Sequence, residues 1–130
     1  MIYKFFNTVI DLNNSKYRIY SSAIVGGQLP QALGVASALK KMGKNEVVWC
    51  FLGDMTSETG VAQTVFQYAL NWDLPINFII EDNGKSVLTD TREVWNSTKL
   101  RFEESMNPKV RYFKYQSKYP HAGAGVRVQF

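Results

Sequence analysis

Residues 46–52 (EVVWCFL) and 76–80 (INFII) are two short apolar runs rich in β-formers, each of strand length. Between them, in residues 58–72, Val61, Val65, Phe66, Ala69 and Leu70 recur at helical spacing. Asp73-Leu74-Pro75 then closes the helix, because the residue before a proline is steered away from helical backbone. Strand, helix, strand within residues 46–80 is a βαβ unit. It requires two parallel strands joined by a right-handed crossover, and the first run reads as buried on both faces. The expected fold class is α/β, a three-layer α/β/α arrangement around a mainly parallel sheet.

The flanking segments fit that frame. Residues 30–42 read as a helix, with Pro30 in the first turn, a stripe of Leu33, Ala36 and Leu39, Lys40 and Lys41 near the end, and Gly43 as terminator. Thr89-Asp90 starts a helical stretch expected to reach about residue 105, and residues 110–116 form a strand candidate. A Gly-rich bend at 122–125 leads to a last short strand at 126–130. Residues 1–20 are polar and aromatic, with the turn signal Asn13-Asn14-Ser15, and read as a connecting arm. No repeat or linker divides the chain, so residues 1–130 are expected to be a single domain.

Composition excludes several classes. A chain that is 45% hydrophobic and 20% charged is globular rather than disordered. No apolar run approaches the roughly 20 residues of a membrane-spanning helix. Residues 1–6 lack a signal-peptide apolar stretch, and the lone Cys50 allows no intrachain disulfide, so the cytoplasm is the expected compartment. The net charge of +4 is unevenly placed. Residues 1–84 hold six Lys/Arg against seven Asp/Glu, and residues 85–130 hold nine against four. The basic, aromatic C-terminal third has the composition of a single-strand nucleic-acid surface. No RNA-binding signature accompanies it, and a solvated face or protein interface is the preferred reading.

In a parallel βαβ unit the carboxyl ends of both strands lie side by side, and open α/β sheets bind ligands there. Asp54 leaves the first strand and Glu81-Asp82-Asn83 leaves the second. The following helix turns its free N–H groups toward the same crevice, which suits phosphate. A carboxylate, an amide oxygen and a loop carbonyl together suit Mg2+. The residues thus reach a magnesium-diphosphate pocket without naming the diphosphate. Taken singly, an Asp after a strand is also a common helix cap and Asn83-Gly84 a common turn.

The stretch Gly53-Asp54-Met55-Thr56-Ser57-Glu58-Thr59-Gly60, then Leu74-Pro75, then Glu81-Asp82-Asn83-Gly84 resembles the thiamine diphosphate motif, Gly-Asp-Gly and Asn-Asn about 27 residues apart. Upstream, the stretch from Ser22-Ala23-Ile24-Val25-Gly26-Gly27-Gln28 to Gly34 resembles the cofactor loop of the alpha chains of pyruvate and branched-chain 2-oxo acid dehydrogenases. The match covers roughly residues 21–90, the central part of such a chain.

The resemblance implies a truncated thiamine diphosphate-binding fold, with thiamine diphosphate and Mg2+ as cofactors. It implies Asp54, the Asn83 side chain and the Lys85 main-chain carbonyl as magnesium ligands. Main-chain groups at Met55 and Thr56 would hold the diphosphate. The backbone of Ala23 and Val25 would bond the aminopyrimidine, with Ile24 shaping the pocket. The activating glutamate of this family comes from a pyrimidine-binding domain on a beta-chain-like partner, which implies an oligomer acting on a 2-oxo acid. A transketolase-like half-site acting on ketoses and a degenerate domain kept for assembly are the alternatives. No catalytic residue is named, and His121 is too close to Asn83 to take the role of the family histidine. Two departures stand out: Met55 replaces the second glycine and Asp82 the first asparagine.

Overall fold

The computed structural model describes residues 2–7 and 13–116; His121, the Gly-rich bend and the strand expected at 126–130 lie outside them. In chain order the elements are β1 (Ile2–Asn7), β2 (Ile19–Ser22), α1 (Gln28–Lys41) and β3 (Val47–Gly53). The short α2 (Asp54–Ser57), α3 (Gly60–Asn71) and β4 (Ile76–Asp82) follow. The hairpin β5 (Lys85–Ser86) and β6 (Thr89–Asp90), then α4 (Thr91–Trp95) and β7 (Val110–Lys114), complete the described chain.

The sheet runs β2-β1-β3-β4-β7 with every neighbouring pair parallel, as the βαβ spacing requires. Val48, Cys50 and Leu52 of β3 stand beside Ile76, Phe78 and Ile80 of β4, and all six are buried. Leu29, Ala32, Ala36 and Leu39 of α1 and Ala62, Val65, Phe66 and Ala69 of α3 complete the same core. Each large side chain so buried contributes about 1.5–3 kcal/mol. Phe66 lies 4.3 Å from Phe78 and 4.4 Å from Phe102 between ring centroids, joining α3 to β4 and to the loop after α4.

Several local expectations are corrected. Ile2–Asn7, in the stretch read as a connecting arm, is a sheet strand between β2 and β3, with Phe5 buried against Tyr20. Its short polar-aromatic pattern gives little periodic signal, and only pairing on both edges makes it a strand. β3 buries one face fully while Val47, Trp49 and Phe51 on the other are half-buried, with the Arg111 guanidinium 5.9 Å from the Trp49 ring. The helix expected at 58–72 is α3, which starts at Gly60 because the Thr59 side chain accepts from the Ala62 N–H, and the short α2 at Asp54–Ser57 before it is not among the expected elements. The helical stretch after Asp90 ends at Trp95, where Asn96 turns left-handed at φ 46°. α1 ends where Gly43 predicts: at φ 61° its N–H donates to Lys40 O and that of Lys44 to Leu39 O. No helix among the described residues is long and apolar enough to cross a membrane.

Candidate functional site

The last paired residues of β3 and β4 are Gly53 and Glu81, so the next residue of each strand, Asp54 and Asp82, emerges at the same level. Both are buried, at 2% exposure each, while Glu81, within β4, is exposed. Asp54 is the first residue of α2, and its main-chain carbonyl accepts from the Ser57 hydroxyl at 2.7 Å. Its Oδ2 has no hydrogen-bond partner. Burial raises the Asp54 carboxyl above its ordinary range; the neighbouring Thr91 hydroxyl opposes this and the Asp82 charge adds to it.

Asp82 has the opposite environment. Its Oδ1 accepts from the Gly84 N–H at 2.8 Å and from Arg92 Nη1 at 3.3 Å. Its Oδ2 accepts from Arg92 Nη2 at 2.7 Å and from the Tyr112 hydroxyl at 2.6 Å. Burial works to raise this carboxyl, but those donors outweigh it and bring it down to about 2. Glu103 Oε1 accepts from the same Arg92 Nη2, and its Oε2 accepts from Lys114 at 2.9 Å. The acid that replaces the motif's first asparagine is therefore neutralised within the fold. Sequence reasoning missed Arg92 and Tyr112; the only hint was that both lie in the basic third, beside a capping Asp90 and in a strand.

Asn83 continues from β4, and its Oδ1 accepts from the Lys85 N–H at 3.0 Å in a local turn. Gly84, at φ 77°, has its carbonyl bonded by the Thr91 N–H at 3.0 Å, which closes the β5–β6 hairpin at its base. Lys85 itself is exposed, and Asn83 is half-buried. Beside Asn83, an open hollow of about 440 Å3 is lined by Asp82, Asn83, Gly84, Arg92, Lys114, Tyr115 and Gln116.

The loop at residues 23–27 reaches the same end of the sheet. Gly26 has φ 74°, and a Cβ there would meet Val61 Cγ1 at 2.8 Å and lie 3.9 Å from Thr56 Cγ2. Glycine is required on both counts, and its use lets the loop bearing Ala23, Ile24 and Val25 lie against the α2–α3 junction. Ala23, Ile24 and Val25 are themselves exposed. Gln28 ties α1 to β3 through a 3.2 Å bond from Nε2 to Phe51 O.

The donor set fits a hard cation. Among the described residues no three His, Cys, Asp or Glu side chains gather at one point. Magnesium held by one carboxylate, amide and carbonyl oxygens and phosphate requires no such cluster. The unpartnered buried Asp54 oxygen is the one that would supply the carboxylate, since both Asp82 oxygens already accept hydrogen bonds. Met55 is half-buried with helical backbone, so no unusual φ calls for glycine there; the Cβ matters only for close approach.

Fold and strand-end site together define an α/β domain of the thiamine diphosphate-binding fold. A solved structure from Mycobacterium smegmatis, assigned as a thiamin diphosphate-dependent enzyme, superposes with a TM-score of 0.54 at 17% identity, over 65% of this chain and 18% of that one. The family model described as "Dehydrogenase E1 component" matches residues 9–103, and the chain belongs to that family. Its relatives place it on the alpha side. The human mitochondrial 2-oxoisovalerate dehydrogenase subunit alpha is 36% identical over 72 residues, 55% of this chain and 16% of the relative. The pyruvate dehydrogenase E1 component subunit alpha of Rickettsia felis is 37% identical over 81 residues, 62% of this chain and 24% of the relative. The chain thus spans a quarter or less of these relatives' length, as an E1-alpha-like domain.

Proposed function

We propose that this chain binds the Mg2+-diphosphate end of thiamine diphosphate as one half-site of a 2-oxo acid dehydrogenase-like enzyme. The observation that carries the reading is the buried, unpartnered Asp54 oxygen beside the loop that bears Asn83. Asp54, the Asn83 side chain and the Lys85 carbonyl would hold the cation, and main-chain groups of Met55 and Thr56 the diphosphate. The backbone of Ala23 and Val25 would orient the aminopyrimidine beside Ile24. When bound, the cofactor supplies a carbon nucleophile for a 2-oxo acid and stabilises the charge left by C–C cleavage. The chain's own residues bind and orient. Asp54 neutralises the cation, and Arg92 with Tyr112 keeps the second acid from repelling phosphate.

A pyrimidine-domain, beta-chain-like partner would complete the site. Ile24 and Val25, 72% and 53% exposed beside the cofactor loop, suit such a contact. Membership of the dehydrogenase family favours a 2-oxo acid over a ketose. Ion pairs of Lys99 with Glu104, Lys109 with Asp73 and Lys114 with Glu103 spend much of the basic third internally, which argues against a nucleic-acid face. A degenerate domain kept for assembly is the second reading, supported by the Met55 side chain at the helix start. Isothermal titration with thiamine diphosphate, with and without Mg2+, tests the first reading on the chain alone and with a partner. Mg2+-dependent binding that Asp54→Ala abolishes is expected. Absence of such binding even in the reconstituted complex overturns it in favour of the degenerate domain.

A further inference from the structure

We propose that Thr91 is a further residue of the cation site, its hydroxyl oxygen joining Asp54 Oδ2 in the oxygen set that a divalent cation satisfies. This rests on the Mg2+-diphosphate reading above. Thr91 is fully buried, and its Oγ1 has no hydrogen-bond partner, the same condition as Asp54 Oδ2. Native proteins satisfy the great majority of buried polar atoms, so two such oxygens in one place require an explanation.

Thr91 occupies the position that links both halves of the motif. Its N–H donates to Gly84 O at 3.0 Å, at the base of the hairpin that follows Asn83. The Asp54 helix α2 packs on β4 and β5, against that same hairpin. The Thr91 side chain is a direct neighbour of the Asp54 carboxyl. A threonine at a helix start usually serves as a cap, but here Asp90 does so, accepting from the N–H groups of Arg92 at 2.9 Å and Glu93 at 3.2 Å. The hydroxyl is left over from local structure. Gln28 Oε1, also buried without a partner, sits on an amide already anchored to Phe51 O.

A carboxylate oxygen and a hydroxyl oxygen that are buried side by side without an aligned hydrogen bond keep lone pairs that suit a hard cation. The arrangement also predicts how stability and binding should separate. Replacing an unpartnered buried hydroxyl with a methyl of the same shape removes an unsatisfied group, so the metal-free protein should hold or gain stability while the cation is held less well.

The experiment uses the full chain as wild type, Thr91→Val and Thr91→Ser, with Mn2+ as the probe, read by electron paramagnetic resonance with and without thiamine diphosphate. Melting temperatures are measured in EDTA. Thr91→Val should melt at or above the wild-type temperature and bind Mn2+ roughly tenfold more weakly, and Thr91→Ser should restore binding. Wild-type Mn2+ affinity in Thr91→Val overturns the inference and leaves the broader reading standing. A lower melting temperature for Thr91→Val in EDTA also overturns it, by showing a structural hydroxyl. If the wild type takes up no Mn2+ in either condition, the inference is wrong, and cofactor titration of the reconstituted complex then decides the broader reading separately.

Discussion

Arg92 grips Asp82 at both carboxylate oxygens, 2.7 Å from Nη2 to Oδ2 and 3.3 Å from Nη1 to Oδ1. That one pairing changes the meaning of the strand-end acids. A parallel register brings Asp54 and Asp82 to the same level, where two charges would repel each other and any phosphate. With Asp82 neutralised, Asp54 is the strand-end acid left with an unpartnered oxygen.

Removing the guanidinium should cost more than removing the acid. Arg92→Met leaves a buried carboxylate with only Tyr112 and the Gly84 N–H, and should destabilise by about 3 kcal/mol in urea denaturation. Asp82→Asn keeps a polar group of the same shape and should cost less. The double variant should lose less than the sum of the two, because the residues act as one unit. Strict additivity would show that the pair is not coupled.

The two aspartates give opposite pH signatures. Asp82 is depressed from 3.8 to about 2 in the folded chain, so its contribution is present above pH 3.8 and is lost as pH falls toward 2. The amount at stake is about 2 kcal/mol. Asp54 is raised on folding, so the stability of its protonated form fades as pH rises from 3.8 through its folded value. Denaturation across pH 2–7 should show an acid-side loss that Asp82→Asn removes.

Asp54 should trade stability for binding. Asp54→Asn takes a buried charge with an unpartnered oxygen out of the fold, and the metal-free protein should gain roughly 0.5–2 kcal/mol. The same change should abolish Mg2+-dependent cofactor binding. Thermal melts in EDTA and isothermal titration read the two effects separately; a loss of both would mean that Asp54 is needed by the fold itself.

Met55→Gly separates backbone shape from close approach. Because Met55 already has helical backbone, glycine should cost the short helix about 1 kcal/mol. The missing Cβ should tighten thiamine diphosphate binding if the cofactor lies against this backbone. Unchanged affinity would place the diphosphate away from residue 55.

Gly26→Ala is expected to be more harmful than its size suggests. It combines a left-handed φ of 74° with a Cβ 2.8 Å from Val61 Cγ1. A destabilisation above 1 kcal/mol is expected from the backbone alone, and the loop at residues 23–27 should move from the α2–α3 junction. Limited proteolysis within residues 22–27 would report that displacement.

The sequence by itself determined the βαβ unit and its consequence. Apolar spacing in residues 46–80 is local, and a parallel pair places whatever follows each strand side by side, so Asp54 and the Asn83 loop were legible without coordinates. Less of the rest was legible. β1 lies in the sheet because its neighbours supply edges on both sides, and its own six residues carry little periodicity. The charge of Asp82 is decided by Arg92 and Tyr112, ten and thirty residues away in the chain. Thr91 has no sequence signal, since only the fold sets its hydroxyl beside Asp54. Periodicity and spacing fix which way a strand runs and where it stops. Which partner a buried charge meets depends on register between distant strands and on which loops close over them, and that was left to the tertiary structure.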